Sequence, residues 1–289
     1  MAYKSVRKIK DTRFNIEHLE DYALSLLIGR SDFRMFVTNT RDNSCLIIEE
    51  FEYPTVDNSI ELMQVLDKIF DEHHLLKAGF WKVVKVAVKD CPFTHVPNEL
   101  FEKENAIDHL AMNGNVDQED IVLYYKHLQS DIVTVFSVNE DLSEYLKGVY
   151  TTIPVHFVHP SAAFIENIYK YDDKTDETTV FLNKSKEGIS IAVYENSKIV
   201  FYNEFATNTA EAVLRYTMYV FNLLGLNQQS TRVVIWGDTD TQHEDFKLLY
   251  QYIRNISFGR RPQYLKCGFV FDVAEDHQYF DLMSIQACA

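Results

Sequence analysis

TIPVHFVHPSAAFIENIYKYDDKTDETTVFLNKSKEGISIAVYENSKIVFYNEF, residues 152–205, decides how the chain is read. It runs strand, helix, acidic loop, then three strands. Residues 153–158 are rich in β-branched and aromatic side chains, a strand composition. Pro160-Ser161 opens a helix to about Tyr171, with the Ser161 hydroxyl placed to accept from a free N–H of the first turn. Three short apolar runs follow, at 178–183, 189–194 and 198–204. Their links, NKSKEG and ENS, are turn-forming and favour consecutive antiparallel strands. A helix over 210–224 then leads into the strand 232–236 and the turn Gly237-Asp238. Three antiparallel strands, a helix and another strand make an α/β half with a mixed sheet.

Working outward, the same order appears upstream. Runs at 22–29, 33–39 and 45–52 are joined by GRSD and TRDN, both turn-forming. Asp57-Asn58-Ser59 can cap a helix over 60–76, where Ile60, Met63, Leu66, Ile69 and Phe70 share one face. Residues 81–88 read as a strand. The order strand-strand-strand-helix-strand therefore occurs twice, from Tyr22 and from Thr178. A helix over 98–111, strands at 121–127 and 132–138 and a helix over 139–150 connect the two series. The boundary is expected near residue 152, giving halves of 1–152 and 153–289. No Gly/Ser linker marks it, so the halves are expected to pack tightly across a cleft. Residues 1–20 read as irregular with one possible early strand. Residues 256–289 read as an aromatic-rich strand around Phe269-Val270-Phe271 and a short final helix.

Composition narrows the function classes. The chain has 289 residues, 46% hydrophobic and 13% aromatic, enough for about two folded domains. Its net charge of −15 is spread over both halves, which disfavours nucleic acid as a partner because a phosphate backbone needs clustered Lys and Arg. Cys45, Cys91, Cys267 and Cys288 form no CxxC pair and are expected as reduced, structural thiols. MAYKSVRKIK is basic but no apolar stretch follows it, and no apolar run reaches the ~18 residues of a membrane span. A cytoplasmic protein is expected.

HPSAAFIENIYKY (159–171) resembles the "EPTAAAxAYG" helix of the 70-kDa heat-shock chaperones, and residues 178–201 sit where their second phosphate hairpin stands. With the duplicated order, the chain resembles the actin-like ATPase (ribonuclease H-like) fold shared by actin, sugar kinases, those chaperones and the bacterial division and pilus-assembly proteins. More closely, with PFTHVPNELF (92–101) included, it is similar to a small bacterial (Bacteroidetes-type) family with this fold and no assigned activity. The resemblance covers most of residues 20–255. It implies a duplicated α/β fold, two halves with mixed sheets around a central cleft.

The resemblance also implies where chemistry should sit. Active members carry an Asp near the end of the first strand of each phosphate hairpin, for metal and water, then small residues whose N–H groups approach the phosphates. Here the first hairpin reads LSLLIGRSDF, with Ser25 or Leu26 at the acidic position and Gly29 alone in the turn. The second reads VFLNKSKEGI, with Leu182 or Asn183 at that position and Lys184-Ser185-Lys186 over the usual glycines. Neither carboxylate is present. VVIWGD (233–238) resembles the strand that approaches the adenosine, with Asp238 where a second Gly is usual. Gly29, Arg30, Ser31, Lys184, Lys186, Gly237 and Asp238 are thus the candidate residual nucleotide cleft; ordinary hydrophilic turns and a plain strand end are the simpler account of them.

Other constellations offer little. His73-His74 lacks a third ligand, and HExxH, GxSxG, P-loop and GxGxxG motifs are absent. Cys91 and His95 stand i,i+4 across a Pro-containing loop with no orienting acid. Asp172, Asp173, Asp176 and Glu177 read as a solvated run without calcium-loop spacing. Three classes remain: a catalytically degenerate (pseudo-ATPase) actin-like protein that binds a protein partner or itself; a sensor that binds nucleotide or a small molecule without turnover; and a kinase or ATPase whose acid is unexpected, such as Asp32 or Glu187. The first is expected, with no catalytic residue, no metal and no confident cofactor beyond weak nucleotide binding. Its contact surface is expected in the segment 264–280, with Tyr264, Phe269, Phe271, Tyr279 and Phe280, or in the acidic loop after Tyr171.

Overall fold

A computed structural model describes residues 2–114, 116–171 and 177–288. Its contacts divide the chain into two compact units. The first takes the residues up to Glu166, together with Tyr264–Phe271 and the chain from Leu282 on; the second takes Asn167–Gln263 and Asp272–Asp281. The division thus falls after Glu166 and not at residue 152, and the C-terminal segment is shared between units.

In the first unit, β1 (Lys4–Lys10) is followed by β2 (Tyr22–Ile28), β3 (Asp32–Asn39) and β4 (Cys45–Glu52), paired antiparallel. Every residue of β2 is buried, and β3 and β4 are partly exposed only at their last positions, so these three strands are covered on both faces. α1 (Ser59–Glu72) starts where the Asn58 side chain accepts from the N–H of Glu61, and it buries Val65, Leu66, Ile69 and Phe70. It returns the chain to β5 (Val83–Val88), parallel to β2. β6 (Phe93–Pro97), α2 (Ala106–Ala111), β7 (Asp120–Lys126) and β8 (Ile132–Asn139) build a small sheet of order β6-β8-β7. α3 (Glu140–Val149) then leads to β9 (Val155–Val158), which completes the large sheet β1-β4-β3-β2-β5-β9. α4 (Pro160–Lys170) follows.

The second unit repeats the plan. β10 (Thr179–Lys184), β11 (Gly188–Glu195) and β12 (Lys198–Ala206) are antiparallel, and α5 (Ala210–Leu223) leads to β13 (Arg232–Gly237), parallel to β10. α6 (Glu244–Tyr252) leads to β14 (Ile256–Phe258), parallel to β13; α7 (Phe280–Ser284) comes last. The order β12-β11-β10-β13-β14 matches β4-β3-β2-β5-β9 strand for strand. α1 and α5 hold equivalent places in that order, as the duplicated sequence pattern predicts. This is the actin-like ATPase plan, mixed α/β in both units.

Three expectations change. The helix over 98–111 is two single 3-10 turns and the short α2, because Phe101 and Glu102 are extended and interrupt it. Phe269–Val273 is a 3-10 turn and not a strand. Cys45 and Cys267, expected as thiols, are joined in a disulfide with Cα atoms 4.8 Å apart. It holds a C-terminal segment to β4, where the N–H of Cys45 also donates to the Lys266 carbonyl at 3.1 Å. Residues 172–176 of the acidic loop lie outside the described residues.

Below the small sheet runs a buried polar chain. His127 Nδ1 meets Glu166 Oε1 at 3.0 Å, His127 Nε2 meets Thr134 Oγ1 at 2.8 Å, and Thr134 Oγ1 meets His95 Nδ1 at 3.0 Å. His159 is nearby, its ring stacked on Phe93 and its Nδ1 accepting from the N–H of Ser161 at 3.1 Å. Burial, reinforced by neighbouring imidazole charge, pushes both His95 and His159 down to about 3. Gly237 fixes a second point. Its φ is +101°, and a Cβ there would lie 1.9 Å from the Lys184 carbonyl oxygen.

Two measurements check these points. Gly237→Ala is expected to destabilise the protein by at least about 2 kcal/mol in urea unfolding, since it adds left-handed strain to a backbone clash. The unfolded chain protonates His95 and His159 near pH 6.5, whereas the folded chain resists until about 3. Their contribution is therefore complete above about pH 6.5 and is lost as pH falls. The urea midpoint should drop from pH 7 toward pH 4, and His95→Gln should flatten that slope.

Candidate functional site

The first hairpin turn, Gly29-Arg30-Ser31, joins β2 to β3 and is tied on both sides. The N–H of Gly29 donates to the Asp32 carbonyl at 2.8 Å, and the N–H groups of Tyr53 and Val56 donate to the Ser31 and Arg30 carbonyls. The Tyr53 hydroxyl donates to the Gly29 carbonyl at 2.7 Å. Arg30 points its guanidinium to the Val56 carbonyl and to Asp57. No residue of β2 is acidic, and Ser25 and Leu26 are buried. The Ser25 hydroxyl accepts from the Gln286 side chain, brought by the C-terminal segment that also offers the Cys288 carbonyl to Lys85.

The acid nearest this turn is Asp32, 1% exposed. Its carboxylate receives Lys89 Nζ at 2.8 and 3.1 Å and Arg34 Nε at 3.2 Å, and Arg34 is itself held by Glu50 at 2.9 Å. A Cβ on Gly29 would stand 2.3 Å from Asp32 Oδ1, so glycine is what lets the carboxylate tuck under the turn. Asp32 is thus committed to two protein cations. It has the position of a candidate catalytic acid without the freedom of one.

In the second unit, Lys184, Gly237 and Asp238 do come together. β10 and β13 run side by side, the N–H of Asp238 donates to the Lys184 carbonyl at 2.8 Å, and Lys184 Nζ turns back onto the Ser185 carbonyl. Lys186 is exposed at the tip of its hairpin, and the turn closes through Ser185 N–H to the Gly188 carbonyl at 2.9 Å. β10 carries no acid, and Leu182 is buried. Glu187 is half-buried, with its carbonyl accepting from the N–H of Thr207. Gly29, Arg30 and Ser31 belong to the first unit and the other four candidates to the second.

Sequence reasoning missed the cavity beside Gly237. It measures about 540 Å³ and lies beyond the carboxyl ends of the parallel strands β13 and β14, the usual ligand position in open α/β sheets. Its floor is Phe258 with the His277 ring stacked on it at 4.2 Å, and His277 Nε2 meets the Thr239 carbonyl at 2.6 Å. Arg261 is fixed by Asp272, Asp276 and the Ala274 carbonyl. Carboxylates from Asp240, Asp272, Glu275 and Asp276 outnumber the guanidiniums of Arg260 and Arg261. Gly259 was the available signal: a Cβ there would lie 2.0 Å from the Trp236 ring, whose Nε1 donates to the Arg260 carbonyl.

Other candidate chemistry dissolves. Cys91 donates to the Val88 carbonyl and His95 is engaged by Thr134. His73 is taken by Glu49 at 3.1 Å. Glu166, His127 and Thr134 follow acid–imidazole–hydroxyl order, but their side chains are buried and present no face to a substrate. Among the described residues, His18, Glu20 and Asp21 cluster at the surface, where Asp21 is paired with Arg41. No helix among the described residues is long and apolar enough to cross a membrane.

Comparison with known proteins agrees with this geometry. A Bacteroides thetaiotaomicron protein of unknown function with an actin-like ATPase fold superposes with a TM-score of 0.79 at 20% identity, covering 96% of this chain and 99% of that one. A chain of the PilM–PilN type IV pilus biogenesis complex gives 0.58 at 12% identity, over 92% and 98%. The ethanolamine utilization protein EutJ of Carboxydothermus hydrogenoformans gives 0.50 at 9%, over 97% and 93%. At these identities the likeness is one of fold. No curated protein matches the sequence. The family profile described as "Protein of unknown function (DUF3822)" matches residues 11–256, and the chain belongs to that family.

Proposed function

We propose that this is an actin-like protein without phosphoryl-transfer chemistry, a pseudo-ATPase that works as a protein-interaction module. The observation that carries it is the absence of any carboxylate along β2 or β10, the two strands that would supply one. Metal-dependent phosphoryl transfer needs such groups to hold Mg²⁺ and orient the nucleophile. Of the two alternative acids, Asp32 is neutralised by Lys89 and Arg34. Retaining the whole fold while lacking the acids favours use of the surface. The PilM–PilN structure, in which a chain of this fold sits in a protein complex, supports that use. Cytoplasmic location belongs to the same reading. There the Cys45–Cys267 pair would be held reduced by the thiol pool, so its oxidation state in cells reports the compartment.

The cavity beside Gly237 favours a second reading, a sensor that holds a small molecule without turning it over. Its excess of carboxylates suits a neutral or cationic ligand better than a triphosphate. Weak nucleotide binding through Lys184, Lys186 and Gly237 belongs to this reading.

Phosphate release from Mg²⁺–ATP is expected at background, and a Mg²⁺-dependent turnover lost in Glu187→Gln would overturn the first reading. Asp32→Asn is expected to act on stability instead. It leaves Lys89 and Arg34 short of a buried counter-charge, so chemical denaturation should show a loss of about 3–5 kcal/mol.

A further inference from the structure

Phe269 is the most exposed large apolar side chain of the described residues, at 93%, and Val270 beside it is 38% exposed. The backbone leading to it is held from several directions. The N–H of Cys45 donates to the Lys266 carbonyl at 3.1 Å, and the N–H of Lys266 donates to the Asn43 carbonyl at 2.9 Å. Gly268 lies so close to β1's following turn that a Cβ would stand 2.6 Å from Asp11 Oδ2. The N–H of Phe271 then donates to the Gly268 carbonyl at 3.0 Å. A ring is thus displayed to solvent on a backbone with little freedom to withdraw it. Phe271, Tyr279 and Phe280, expected with it at a contact surface, are core residues.

Next to the knob is a socket. A cavity of about 320 Å³ is lined by Asp11, Thr12, Arg13, Gly268, Phe269 and Val270. Arg13 is clamped flat, with Nε on Asp11 Oδ1 at 2.9 Å, one terminal nitrogen on Asp11 Oδ2 at 2.8 Å and the other on the Ser44 hydroxyl at 3.2 Å. Its side chain is still 47% exposed, so a guanidinium face is open to an aromatic ring. The charges around it are balanced. Arg13 pairs with Asp11, and the hydrogen bonds that Asp42 receives from Ser44, helped by the charges of Lys266 and Arg13, hold the Asp42 carboxyl below its ordinary range.

We propose that this patch is a self-association site, where Phe269 of one copy enters the socket of a second copy and stacks on its Arg13. This rests on the protein-interaction reading and names the partner. Knob and socket adjoin on one face, so a two-fold axis engages both at once, the condition for an isologous dimer. A net charge of −15 repels a second copy over most of the surface, whereas here each copy offers paired opposite charges. With one aromatic anchor per copy, the contact belongs to the weak, transient class.

Sedimentation velocity of the full chain, from about 1 to about 300 µM, tests it. A concentration-dependent dimer is expected, with a dissociation constant raised at least about thirtyfold by Phe269→Asp, the loss typical of a central aromatic anchor. Circular dichroism should be unchanged, since the ring is in solvent. Val200→Asp, which alters an exposed position on β12, should leave the dimer intact. A chain that stays monomeric throughout overturns the proposal. So does a dimer that survives Phe269→Asp, or one lost equally in Val200→Asp. The protein-interaction reading would fail on different grounds, by Mg²⁺-dependent ATP turnover.

Discussion

Burying the charges of Asp32, Arg34, Lys89 and Glu50 is the constraint on which the first unit turns. Removing several ions from water is costly, and only tight mutual pairing offsets it. The four residues come from β3, β4 and the end of β5, so the pairing is complete only when these strands stand in one register. A slip of one residue in any of them would turn its ion to the opposite face and strand the others. Gly29 and Tyr53 belong to the same device. One makes room for the Asp32 carboxylate, and the other bonds the turn's carbonyls from outside. A hairpin that in related folds receives phosphate is here closed on itself.

The second unit reaches the same topology by other means. Its hairpin has no buried ion cluster among the described residues. Trp236 instead stands between Phe181 and Phe280, with ring centroids at 5.6 and 4.2 Å, and Tyr171 meets it edge-on. Such a stack is less demanding of register than paired ions, because apolar contact tolerates small displacements. The positional constraint passes to two glycines. Gly237 lets the backbone cross the end of β10, and Gly259 lets β14 end against the Trp236 ring. Space left beyond them forms the cavity.

The duplicated order was legible because its strands are bounded by strong turns and its two crossover helices keep a single apolar face. α1 shows this well, with Asn58 capping and Leu66, Ile69 and Phe70 inward. Short elements were not. β6 starts just after Pro92 and ends on Pro97, and the periodic stretch after it is broken by two extended residues whose side chains give no warning. β14 has three residues, too few for any pattern. The Cys45–Cys267 bond spans 222 residues, so spacing is silent about it. At the hairpins, the missing acids were visible as letters. What Asp32 does instead was not, since its partner Lys89 is 57 residues away.

The first unit is assembled from three separate pieces of chain, the last of them beyond Leu282. During synthesis, therefore, β2 and β5 leave the ribosome long before the segment that bonds to Ser25 and Lys85. The first unit therefore stays unfinished until the segment from Leu282 on has been made, while the long central piece of the second unit is already out. Until then the nascent chain shows the incomplete apolar surface of that unit, the state that chaperones recognise. Loss of the segment from Leu282 on would be felt more than 190 residues away, at β2 and β5.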